Sequence, residues 1–158
     1  MELQTKHWGL WEVPAEKIIT FPRGLYGFDE AKRFILIENE DPHNPLCWLQ
    51  AVDDPELAFV ILNPFSFCRD YEFTLSAEDQ ADLDLTDPQD VLVFALVVVP
   101  QDLRQMTANL LAPLVINSRL RRGKQIVLYQ QEYSTQHLIC QKQGQNKLGK
   151  GEGGESSC

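Results

Sequence analysis

The chain has 158 residues, 44% of them apolar, and a formal net charge of −9. That length fits one domain burying about 68–70% of its unfolded surface. The acidity argues against nucleic acid and anionic membrane as partners, and the longest apolar run, nine residues from Val91 to Val99, is too short to span a bilayer as a helix.

The N-terminus lacks the charged-then-apolar pattern of an export signal, so a cytoplasmic location is expected. Cys47, Cys68, Cys140 and Cys158 show no paired spacing, which fits reduced thiols in that compartment. Residues 141–158 hold five glycines and one large apolar side chain, Leu148. Such a segment cannot bury enough surface to order itself, so the domain is expected to span 1–140 with a disordered tail at 141–158. Three Lys against two Glu give the tail +1, leaving the body at −10. A body that acidic either favours a basic protein partner or serves only to keep the protein soluble.

In chain order, His7 to Val13 reads as a first strand, ended by Pro14, and Ile18 to Phe21 as a short second one. Pro22 to Gly27 is a turn in which Gly24 and Gly27 are free to take positive φ. Asp29 to Lys32 fits one helical turn, and Phe34 to Glu38 another strand. Leu46 to Val52 and Leu57 to Leu62 are short apolar runs rich in Val, Ile, Phe and Trp, joined by Asp53 to Glu56. Asp54 and Pro55 suit the first two positions of a type I turn. The two runs read as a central hairpin covered on both faces. Asn63 and Pro64 end it.

Phe67 to Leu75 alternates. Phe67, Tyr71, Phe73 and Leu75 share one face, and Asp70, Glu72 and Thr74 the other, as in a half-exposed strand with an acidic outer side. Ser76 is an N-cap for a short helix over Ala77 to Leu83, with early acids Glu78 and Asp79. Between Asp70 and Asp90 there are eight acids and no Lys or Arg. Val91 to Val99 reads as a fully buried strand. Thr107 to Asn117 reads as a long strand in which Pro113 marks an edge or a bulge. Ser118 to Gly123 is a basic turn, and Lys124 to Gln130 the returning strand. About eight strands and one or two short helices predict a mainly β, single-domain fold, an antiparallel β-barrel or sandwich.

No chemistry converges. The serine-nucleophile and dinucleotide motifs are absent. His7, His43 and His137 are scattered, and a His43–Cys47 pair is two ligands short of a zinc site. Asp53 and Asp54 are neighbours pointing apart, which suits turn formation better than paired-carboxylate catalysis. The expectation is therefore no catalytic residue, no metal and no cofactor. The competing reading is a small β-barrel enzyme or ligand binder with an interior pocket, marked by a cavity and a perturbed carboxylate.

Five stretches in register resemble the FliW family of flagellar assembly factors: Phe21 to Phe28, Trp48 to Phe59, Asn63 to Phe65, Thr107 to Asn117 and Gly123 to Leu128. The resemblance runs from about His7 to Ile139 and leaves out the tail. Tyr26 stands where the family motif has Pro. The resemblance implies a cytoplasmic, non-enzymatic protein with two partners. One is newly made flagellin. The other is the RNA-binding translational repressor CsrA, so that accumulating flagellin sequesters the factor and repression returns. A monomer is expected, with no direct contact to nucleic acid or membrane. The acidic face suggests where a basic partner docks: Asp70, Glu72, Glu78, Asp79, Asp82 and Asp84, with Phe65 as the apolar contact.

Overall fold

A computed structural model of the chain describes residues 2–129 and 132–139. The strands are β1 (Glu2–Gln4), β2 (Leu10–Glu12), β3 (Ile19–Thr20), β4 (Arg33–Ile37), β5 (Cys47–Ala51), β6 (Ala58–Leu62), β7 (Val91–Val98), β8 (Thr107–Ala108), β9 (Leu114–Asn117), β10 (Arg122–Gln125) and β11 (His137–Leu138). A single α-helix among the described residues, α1 (Ala77–Asp82), lies between β6 and β7. The fold is mainly β.

The sheet closes on itself. Its order runs β7-β6-β5-β4-β3-β10-β9, and β9 pairs again with β7, which makes a seven-stranded barrel. Every pairing in the ring is antiparallel except β3 with β10, which is parallel through Thr20 and Arg122. Closure removes the unpaired edges that a flat sheet would carry. β8 and β11 extend from β7 beside the ring.

Two-residue alternation along these strands sends one set of side chains inward. Phe34, Leu49, Ala51, Ile61, Leu114 and Ile116 fill the interior with Ile19, Phe21 and Leu25, and Leu36, Phe59, Phe94 and Leu96 pack against them. The outward set is apolar too, because two further layers cover it. β1 and β2 pair as a hairpin and, with Trp8 and Ile18, cover Ile35, Ile37, Trp48 and Val52. On another side, Tyr71, Leu83, Leu110, Ile126 and Leu128 form a second outer cluster over Val93, Ala95 and Val115. One interior and two outer clusters explain why β4, β5 and β7 read as continuously apolar.

The central hairpin forms as its sequence predicts. β5 and β6 pair with Leu49 opposite Phe59, and Leu57 N donates to Asp54 O at 3.0 Å to close the turn. Asp54 Oδ1 accepts from Glu56 N at 3.1 Å, the side-chain-to-backbone bond that makes Asp favourable there. Gln50 is fully buried; its Oε1 accepts from Lys6 N at 2.9 Å and its amide reaches turn carbonyls, including Ala51 O at 3.1 Å. Gly24 and Gly27 hold φ of +69° and +86°, and a Cβ on Gly24 would lie 2.6 Å from Asp29 O.

Several expectations are corrected. The first strand is shorter and pairs with an earlier one, because Gly9 at φ +73° turns the chain between them. Asp29 to Lys32 contains a turn and no helix. Phe67 to Leu75 is not a strand: Tyr71 to Leu75 keeps its alternating burial but joins no sheet. It is a strap laid over the second outer cluster, which rewards alternation without a ladder. Tyr71 anchors it, with its hydroxyl donating to Leu110 O at 2.7 Å. Thr107 to Asn117 is two strands. Asn109 Oδ1 accepts from Leu111 N at 3.1 Å and Ala112 N at 3.0 Å, looping the chain out before Pro113. The returning strand ends as a sheet member at Gln125 rather than Gln130. β7 is only partly buried, and Val98 at its end is exposed.

Candidate functional site

α1 and the strap place most of the residues singled out for docking. Ser76 Oγ accepts from Asp79 N at 3.0 Å and starts the helix as an N-cap. Asp84 ends it at φ +53°, with Asp84 N donating to Ala81 O and Leu85 N to Gln80 O, both at 3.0 Å. That pair of bonds is a Schellman cap, and Asp is one of the few residues besides Gly that tolerates its left-handed position. Buried Asn117 on β9 fixes the helix end, donating from Nδ2 to Leu83 O at 2.9 Å and Asp84 O at 3.1 Å.

The helix then turns two of its acids inward. Asp79 and Asp82 are three residues apart, hence on one face. Lys124 Nζ on β10 sits 2.6 Å from Asp79 Oδ1 and 2.6 Å from Asp82 Oδ2. Arg23 adds a second cation 3.1 Å from Asp82. Burial pulls the Lys124 ammonium down, but the hydrogen bonds and charges of the two carboxylates outweigh it and hold the pKa above the usual lysine range. The hydrogen bond from Lys124, then the charges of Lys124 and Arg23, keeps Asp82 below the ordinary carboxylate range. These two acids are engaged in clamping the helix to the barrel.

The remaining candidates lie differently. Asp70, Glu72, Glu78 and Asp84 are exposed and make no ion pair among the described residues. Phe65 is 41% exposed and packs against Tyr71 with ring centroids 5.7 Å apart. Tyr71 lies between Asp70 and Glu72 in sequence, so Phe65 packs on the strap segment that carries two of the exposed carboxylates. Sequence reading placed the acids and missed their cations: Lys124 lies 45 residues beyond Asp79 and 42 beyond Asp82, and Arg23 comes from well before the helix. No local signal marks Lys124 as their partner.

An interior pocket is not what the barrel holds: its centre is packed with Phe21, Phe34, Leu49, Ile61 and Leu114, each fully buried. Among the described residues, no group of three or more His, Cys, Asp or Glu is arranged to hold a metal ion. The other carboxylates held below their ordinary range are surface members of ion pairs, Asp53 with Arg33 and Asp102 with Arg104. Burial, and then the charge of Glu38, pushes the Cys47 thiol up, away from reactivity. No described helix is long and apolar enough to cross a membrane.

The geometry defines a class: a small all-β protein with a side-chain-filled barrel, covered on two outer sides and bearing one short acidic helix. Comparison with known proteins identifies the family. The FliW protein family model matches residues 2–139. The flagellar assembly factor FliW of Alkaliphilus metalliredigens is 48% identical over 142 residues, covering 90% of this chain and 88% of its own. That of Treponema pallidum is 42% identical over 139 residues, covering 88% and 91%. A crystal structure of the flagellar assembly factor FliW superposes with a TM-score of 0.83 at 37% identity, covering 88% of this chain and 96% of that one. The chain belongs to the FliW family and is a flagellar assembly factor.

Proposed function

We propose that this chain binds newly made flagellin in the cytoplasm and antagonises the translational repressor CsrA, so that the flagellin level sets flagellin translation. No catalytic step is involved. Membership of the FliW family carries this reading. The surface chemistry supports it: a basic RNA-binding protein is attracted by carboxylates that have no cation partner among the described residues. Phe65 with Asp70 and Glu72 forms the core of the CsrA-docking surface, and Glu78 and Asp84 widen its field. Asp79 and Asp82 contribute less, since Lys124 and Arg23 offset them.

The test is the double reversal Asp70→Lys with Glu72→Lys, measured against CsrA across a salt series, with circular dichroism to confirm folding. Rim charges act mainly on encounter, so the on-rate should fall more than the off-rate rises, and the salt slope should flatten. Wild-type affinity with an unchanged salt slope in the folded variant would remove this surface from the proposal. A wild-type protein that captures neither CsrA nor flagellin would sink the function itself.

A further inference from the structure

A second surface carries an inference independent of those partners. Beyond β10 the chain continues through Ile126, Val127 and Leu128, still bonded on one side, and turns at Tyr129. Ile126 N donates to Pro113 O at 3.0 Å and Leu128 N to Leu111 O at 2.8 Å. In an extended chain alternate residues present their backbone groups to opposite edges. Val127 therefore faces away from Pro113 and Leu111. β3 covers that edge only at its start, where Thr20 N donates to Arg121 O at 2.9 Å. The N–H and C=O of Val127 and the N–H of Tyr129 make no hydrogen bond among the described residues. Among the described residues, the closed barrel thus retains a short open edge at Val127.

The edge forms one wall of an open groove of about 400 Å³. The other walls are the Pro22–Gly27 turn and the strap before α1. On the strap, the backbone groups of Phe73 and Thr74 also make no hydrogen bond among the described residues. Tyr26 and Tyr129, 62% and 86% exposed, both line it. Of its charged lining, Arg23, Asp79 and Lys124 are committed to the helix clamp. Glu78 is left with no ion partner among the described residues.

We propose that this groove takes an extended, lysine-bearing peptide segment of a partner protein, which pairs with the backbone of Val127 and runs on past the turn at Tyr129. Unpaired backbone donors and acceptors select an extended chain. The two tyrosines offer flat apolar contact on either side. Glu78 selects a cation on the incoming segment.

The test uses the full chain and a synthetic peptide of alternating valine and threonine with a lysine at each end, titrated to millimolar concentration. Amide hydrogen exchange at Val127 and Tyr129 should slow by roughly tenfold or more on binding. A peptide with proline at its central positions should give no protection. Replacing the terminal lysines by glutamate, or Glu78→Lys in the protein, should weaken binding by roughly threefold to tenfold at low salt. Val127→Pro removes the edge donor while leaving the bonds of Ile126 and Leu128. It should melt near wild type and lose peptide protection at Tyr129; if it fails to fold, the proline peptide serves as the deciding control. Three results would overturn the proposal. One is equal or absent protection with both peptides. Another is protection already complete in the free dilute protein, meaning that its own chain covers the edge. The third is protection that rises with protein concentration, meaning that a second copy does.

Discussion

Lys124 shows how one residue decides what an acidic cluster is for. Its ammonium bridges Asp79 and Asp82, and its side chain is only 14% exposed. Lys124→Met should remove the clamp and leave two facing carboxylates, at a cost of about 1–3 kcal/mol. The pH dependence has a defined sign. Asp82 is depressed, so its contribution is complete above the unfolded carboxylate value of about 3.9 and is lost as pH falls through the folded value. Lys124 is raised, so its contribution is complete below the unfolded lysine value of about 10.4 and is lost as pH rises through the folded one. The stability gap between wild type and variant, measured by urea unfolding, should be flat near neutrality and close at both extremes. A gap that persists unchanged in strong acid would mean that the stabilisation does not come from the ion pairs with Asp79 and Asp82.

At the scale of elements, the β1–β2 hairpin is the least expected part of the fold and the most separable. It stacks on the barrel through Trp8, whose ring lies 5.1 Å from Trp48 in a T-shaped contact. Trp48 is half-buried rather than sealed in a core. Trp48→Ala should therefore cost about 3 kcal/mol, the lower end for a large aromatic truncation. It should also raise protease sensitivity in the first dozen residues before the barrel melts. Unchanged proteolysis in a destabilised variant would show that Trp48 serves the barrel and not the hairpin. What the sequence made legible here follows from the range of the interaction involved. The turn after Ala51, the N-cap at Ser76 and the apolar run of β7 rest on neighbours a few residues away, and they form close to where the pattern puts them. Tyr71 to Leu75 alternates because Tyr71, Phe73 and Leu75 meet an outer cluster, and alternation alone does not distinguish a strap from a strand. The split between β8 and β9 depends on a side-chain turn at Asn109, whose signal is overridden by the β-branched residues beyond it. For the candidate site, Asp70, Glu72 and Phe65 were legible as exposed chemistry, whereas the neutralisation of Asp79 and Asp82 was not.

For the whole molecule, the three clusters share strands, so the barrel and its two covers should lose structure together. All three tryptophans lie on or beside one outer layer, with Trp11 6.0 Å from Trp8. Tryptophan fluorescence thus reports that layer, while far-ultraviolet dichroism reports the whole sheet. Coincident transitions in urea are expected. Fluorescence that changes first would assign the hairpin layer its own unfolding step. The expected tail at 141–158 lies outside the described residues, and the family match ends before it, at residue 139.

The parallel joint between β3 and β10 bears on how the chain is made. Thr20 meets Arg122 across about a hundred intervening residues, and this pairing closes the ring. A ribosome delivers roughly 5–20 residues each second, so β3 waits on the order of 5–20 seconds for its neighbour to be synthesised. In the later part of that interval Phe34, Leu49 and Ile61 have been made, on a sheet that cannot yet curl shut. The nascent protein is thus an open, sticky half-cylinder for a substantial part of its synthesis. Its yield in the cell should depend on elongation speed and chaperone supply more than the stability of the finished barrel would suggest.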